Sequence, residues 1–121
     1  MMTLDLSTEI IGCAIDVHRS LGKGHSCETY RDAMRVELQE RGLPFDSNVT
    51  LPTIYKGRML SSRSLDFVVS NDIGVLIVEQ VETDLYAWMR TVLKGQSLSS
   101  GLLISFRERT LTQGVRRVEA L

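Results

Sequence analysis

Two carboxylates, Asp66 and Glu79, stand where packing alone would favour aliphatic residues. Asp66 lies within the apolar run Leu65 to Val69 and Glu79 directly follows the run Val75 to Val78, the two runs being joined by the turn-forming Ser70-Asn71-Asp72. If the runs pair as a hairpin, a rise of ~3.3 Å per residue carries both acids toward the same end of the ribbon. Two acids near one end of a buried sheet are costly unless a cation lies between them. A hard, oxygen-seeking ion such as Mg²⁺ or Mn²⁺ suits such a pair. In phosphodiester hydrolysis that ion polarises the phosphate and lowers the pKa of a bound water, and a nearby lysine orients or activates the water.

The rest of the chain must position those two acids. With 121 residues it has enough length for one domain with a real core and too little for two. Hydrophobic residues make up 43% and charged residues 24%, so the composition is that of a folded chain. A net charge of −1 argues against coating nucleic acid by bulk charge and leaves room for a local basic patch. Cys13 and Cys27 form neither a CxxC pair nor a ladder of cysteines, which fits a reduced setting better than a disulfide framework. No basic leader precedes an apolar stretch at the start, and no apolar run approaches the ~20 residues of a membrane span. The expectation is a cytoplasmic protein without a membrane partner.

Apolar residues Ile10, Ile11, Ala14, Ile15, Val17 and Leu21 recur mostly three or four apart, predicting a helix over 7–21 with Ser7 or Thr8 as its cap and Gly22 as its stop. His18 lies on or beside that face and reads as a packed histidine with one hydrogen-bonded ring nitrogen. A second helix is predicted over 26–41, with Tyr30, Ala33, Met34 and Leu38 inward and Arg31, Arg35, Glu37 and Glu40 toward water. Gly42 and Pro44 end it. Three strands follow: Val49–Tyr55, at an edge or interrupted because Pro52 cannot donate to a ladder, then Met59–Val69 after a Lys56-Gly57-Arg58 turn, then Val75–Gln80. A third helix, with Leu85, Trp88, Met89, Val92 and Leu93 inward, runs to Gly95. The strand Gly101–Phe106 then completes a βαβ crossover and so runs parallel to the third strand. The tail from Thr110 carries Val115 and Val118 around Arg116-Arg117, too little to place an element. Two helices, a meander, a helix and a strand make an α+β sandwich with a mixed sheet.

Ile11-Gly12, Ala14-Ile15-Asp16-Val17-His18, Leu21-Gly22, Gly24, Tyr30, Tyr55-Lys56-Gly57, Asp66, Val78-Glu79, Leu93-Lys94, Gly101-Leu102-Leu103-Ile104 and Phe106 together resemble the GxxExxY proteins of the PD-(D/E)XK, restriction-endonuclease-like superfamily. The resemblance runs from about Glu9 to Arg117 and is most specific between Val17 and Tyr30. It implies an αβββαβ core with a mixed four-stranded sheet flanked by helices, as a single domain over residues 1–121. It also implies a divalent-metal nuclease site, Mg²⁺ or Mn²⁺ held by Asp66, Glu79 and the carbonyl of Gln80. Three polar roles of that pattern are replaced here: the motif glutamate by Cys27, the lysine two residues after the second acid by Val81, and a glutamine of the third helix by Trp88. Glu28 adjoins Cys27, but one residue on a helix is a rotation of ~100°, which turns it elsewhere. Lys94 is the candidate for a lysine that has migrated to the helix, and so completes the catalytic set with Asp66 and Glu79.

These replacements imply a site that is impaired or silent, with three readings open. The chain cuts DNA or RNA with a metal; it keeps the fold to bind nucleic acid or a protein partner; or it self-associates, as a homodimer for instance, through its edge strand. In the first two readings Arg58, Arg63, Arg90, Lys94, Arg107, Arg109, Arg116 and Arg117 are the phosphate-facing set, set against a solvated surface as their simplest role.

Overall fold

The computed structural model describes residues 5–60 and 63–120. Helix α1 spans Leu6–Leu21 and α2 spans Cys27–Glu40. Asp5 rather than Ser7 or Thr8 precedes the first turn of α1, and its carboxylate accepts from the Ser7 hydroxyl. Ser26 caps α2, its hydroxyl accepting from the Thr29 N–H at 3.3 Å. His18 packs as expected: Nε2 lies 3.0 Å from the Glu108 carbonyl and the ring stacks beside Phe106.

The extended half of the chain is more divided than its sequence suggests. Strand β1 (Phe45–Thr50) begins directly after Pro44, and Leu51-Pro52 separates it from β2 (Thr53–Tyr55). The break follows from the missing N–H of Pro52. Lys56 and Gly57, at φ 52° and 76°, form the two-residue turn to β3 (Arg58–Leu60). The expected second strand is therefore split into β3 and β4 (Ser64–Val69), its positions 61 and 62 lying outside the described residues. Ser70 and Asn71, at φ 53° and 54°, make the turn into β5 (Ile73–Ile77), closed by the Asp72 N–H to the Val69 carbonyl at 3.0 Å. Positive φ at both central residues gives the backbone twist that matches flanking strands.

Helix α3 (Thr83–Gly95) leads to β6 (Ser100–Ile104), which pairs parallel with β5 as the crossover requires. The tail supplies a strand that the sequence did not place: after a 3₁₀ turn at Leu111–Gly114, β7 (Val115–Glu119) pairs antiparallel with β6. The main sheet is thus five-stranded, β1-β4-β5-β6-β7, instead of four-stranded, and β2-β3 forms a separate ribbon. β1 lies at an edge of the main sheet but begins at Phe45, ahead of the expected strand Val49–Tyr55, which is interrupted at Leu51-Pro52 and divided between the end of β1 and β2.

Alternation along the central strands builds two cores. Ile73, Val75 and Ile77 of β5 join Leu102 and Ile104 of β6 in a cluster with Ile10, Ala14, Val17, Tyr30, Met34 and Leu38 of α1 and α2. Leu76 and Leu103 instead meet Leu85, Met89 and Leu93 of α3 on the other face. The result is an α+β fold of three layers, a mixed sheet between α1–α2 and α3. Both faces of β5 and β6 are covered, which explains why these two strands are apolar throughout.

Candidate active site

Strand β5 ends at Ile77, and the chain leaves the sheet through Val78 and Glu79 before α3 begins. This strand end, the exposed side of α2 and the start of β4 enclose a cleft of about 660 Å³. Asp66 and Glu79 both line it, so the hairpin brings the two acids to one place. Cys27 and Glu28 line it too, hence the rotation between neighbours on α2 does not take Glu28 out of the cleft. Gln80 and Lys94 are exposed and are not among its lining residues. Lys94 lies in the last turn of α3, eleven residues along from Thr83, a distance of about 16 Å at 1.5 Å per residue. Val81 packs against the α3-side core, and Trp88 packs there as well, with the Arg63 guanidinium 5.5 Å from its ring centroid.

The charge next to Asp66 is an arginine of the chain itself. Arg31 Nε lies 2.7 Å from Asp66 Oδ1, with the Asp66 side chain 13% exposed and that of Arg31 39%. The Nε–H is not aligned on that oxygen, so the contact is a close ion pair rather than a well-formed hydrogen bond. Arg31 also donates through its terminal nitrogen to the Ile77 carbonyl at 3.4 Å. Oδ2 of Asp66 accepts from the Ile77 N–H at 2.7 Å. Burial pushes the Asp66 carboxyl above the usual range, opposed by the Ile77 N–H and by Arg31. Burial likewise raises the Cys27 thiol, so at neutral pH this side chain is a protonated, weak ligand.

Arg31 is the site residue that periodicity missed, since it reads as a water-facing position of α2. The stripe Cys27, Arg31, Arg35 at intervals of four was the available signal, because it sets all three on one helix face. Each lines the cleft, with Arg35 held to Asp32 at 3.0 Å. Of the eight cations expected to face phosphate, only Arg63 lines this cleft. Arg107 lines an adjoining hollow, while Arg117 pairs with Glu119 at 2.9 Å and Arg116 donates to the Gln113 and Val115 carbonyls.

Backbone contacts hold the Glu79 end in place. The Ser105 hydroxyl donates to the Glu79 carbonyl at 2.8 Å, and the Ser105 N–H donates to the Gly114 carbonyl at 2.9 Å. A Cβ on Gly114 would run into the Ser105 carbonyl oxygen, a backbone atom with no freedom to swing aside. Gly114→Ala is therefore expected to cost about 1–3 kcal/mol through overpacking. In a thermal melt that is a fall of very roughly 3–15 °C for a chain of this size.

A family model described as the PD-(D/E)XK nuclease superfamily matches residues 4–118. The chain belongs to that superfamily. No curated protein and no solved structure matches. Nucleases of the superfamily generally use divalent metals, and the donors present here do not fit one. Among the described residues no three histidine, cysteine or acidic side chains are grouped to hold an ion. Asp66 already faces a cation, and Cys27 is neutral. Among the described residues no helix is long and apolar enough to cross a membrane.

Proposed function

We propose that this chain is a degenerate GxxExxY-type member of the superfamily, which binds nucleic acid and cleaves it weakly or not at all. The observation that carries the reading is the 2.7 Å pair between Arg31 and Asp66, because a guanidinium there balances the charge that a metal would otherwise balance. Asp66 and Glu79 are, on this reading, the remnant of an acid pair. Three features support it: Cys27 at the motif glutamate, Val81 turned into the α3-side core, and Lys94 away from the cleft lining. Absence of a positioned lysine removes general acid–base assistance that is typically worth about 10²–10⁴ in rate.

Calorimetric titration of Mg²⁺ or Mn²⁺ into the wild type is expected to give no saturable heat, and plasmid or oligonucleotide to survive incubation with either ion. A labelled oligonucleotide is expected to bind in the presence of a chelator, with affinity falling as salt rises. Metal-dependent cleavage that Asp66→Ala abolishes would reverse the assignment and make the protein a working nuclease.

A further inference from the structure

Exposed apolar surface on this molecule is concentrated in one element. Among the described residues, five large hydrophobic side chains are exposed, and four of them, Ile54, Tyr55, Met59 and Leu60, belong to the β2-β3 ribbon. Ile54 is 63% exposed and Met59 74%. Because Ile54 pairs with Met59 and Tyr55 with Arg58, each cross-strand pair shares a face, and the ribbon presents apolar surface on both. Its tip is Lys56-Gly57, with the Lys56 ammonium 5.5 Å from the Tyr55 ring centroid.

Charge decides what this ribbon is built to meet. From Ser47 to Leu65 the chain carries Lys56, Arg58 and Arg63 and no acid, in a protein whose net charge is −1. A second copy of the ribbon would bring the same cations against each other without an acid to answer them. A single-stranded nucleic acid offers the complement: phosphates for the cations, and unstacked bases whose flat apolar faces pack on aliphatic and aromatic side chains. The strands before and after the ribbon in sequence reach the cleft, where Asn48 of β1, Ser64 of β4 and Arg63 are lining residues.

We infer that the β2-β3 ribbon is an arm that grips single-stranded nucleic acid, Lys56 and Arg58 on phosphates and Ile54, Tyr55, Met59 and Leu60 against bases. The inference rests on the nucleic-acid reading of the preceding subsection and adds the element that carries the contact. Fluorescence anisotropy with a labelled 20-nucleotide single strand, and with its duplex, tests it on the full chain in chelator. Ile54→Ser combined with Met59→Ser is expected to weaken single-strand binding about tenfold or more and to leave the salt slope unchanged. Lys56→Gln combined with Arg58→Gln is expected to reduce the slope of log affinity against log salt by about 1.4, at ~0.7 per phosphate contact. All four side chains are largely solvated, so both variants should melt with the wild type.

If the wild type binds and both variants match it, the arm is excluded while nucleic-acid binding stands. If the wild type binds neither probe, both readings fall. Equal or tighter binding to duplex, unmoved by Ile54→Ser and Met59→Ser, also overturns the arm. So does a dimer in light scattering that the apolar double variant converts to monomer without changing nucleic-acid affinity.

Discussion

Replacing Arg31 by glutamate is expected to make the protein's stability depend on a divalent ion. In glutamate the carboxylate oxygen occupies the same place along the side chain as Nε does in arginine. Arg31 Nε is 2.7 Å from Asp66 Oδ1, so Arg31→Glu would set two carboxylate oxygens at nearly that separation. Adjacent oxygens around an octahedral Mg²⁺, with bonds of ~2.0–2.1 Å, lie about 2.9 Å apart. Without metal the variant puts two negative charges together at a site where Asp66 is mostly buried. Removing one partner of a fully buried pair costs about 3–5 kcal/mol, and the exposure of Arg31 reduces that here to roughly 2–3. The thermal midpoint at neutral pH in chelator should fall by about 6–15 °C.

The metal and pH arms give that result its meaning. A hundredfold excess of Mn²⁺ over its dissociation constant restores about 2.7 kcal/mol to the variant, while the wild-type midpoint should stay put. Repulsion raises the folded-state pKa of the acid pair above its unfolded value. Its favourable contribution is thus complete below the unfolded carboxylate range and is lost as pH rises through the raised value. The deficit of Arg31→Glu against wild type should accordingly be small near pH 4 and full at pH 7, by differential scanning fluorimetry at both. Equal metal response in the two proteins would show that Arg31 does not stand in the way of an ion.

The second large effect is expected at Phe106. Its ring, 2% exposed, stacks on Tyr30 with centroids 4.3 Å apart and planes 4° from parallel, and His18 lies beside it at 6.3 Å. Tyr30 in turn ties down the loop between the first two helices: its hydroxyl donates to the Gly22 carbonyl at 2.6 Å and accepts from the His25 N–H at 3.3 Å. Phe106→Ala should cost about 3–5 kcal/mol, the usual range for deleting a buried aromatic ring. A melt should record a fall of roughly 10–25 °C. Hydrogen exchange should also find the amide of His25 less protected, because its partner hydroxyl loses the surface that orients the ring. A drop of only a few degrees would mean that the surrounding side chains close over the gap.

Elements were legible where burial imposes a period. The three helices, the apolar strands β5 and β6 and their parallel pairing follow from spacing alone, because each has a continuous buried face. β7 escaped detection since only Val118 of its five residues is buried, and its exposed arginines mask the alternation. The split between β3 and β4 was hidden for the opposite reason: the apolar residues of β3 are exposed, so hydrophobicity there does not report a core. Asp66 and Glu79 could be placed together because a tight turn fixes the register of the strands that lead to them. The Arg31–Asp66 pair could not, since it joins residues 35 positions apart on elements of different period. The same blindness applied to Glu28, whose access to the cleft depends on how far α2 stands off the sheet.

A cation bonded to the backbone differs from a dissociable one in its dependence on supply. A bound ion stabilises a protein by an amount that varies with its free concentration and vanishes when the ion is scarce. Arg31 is delivered to Asp66 by folding itself, in one-to-one stoichiometry and with no chemical potential to follow. On the function proposed above, the carboxylate end of this sheet is insulated from swings in the surrounding divalent pool, and its integrity is fixed at synthesis.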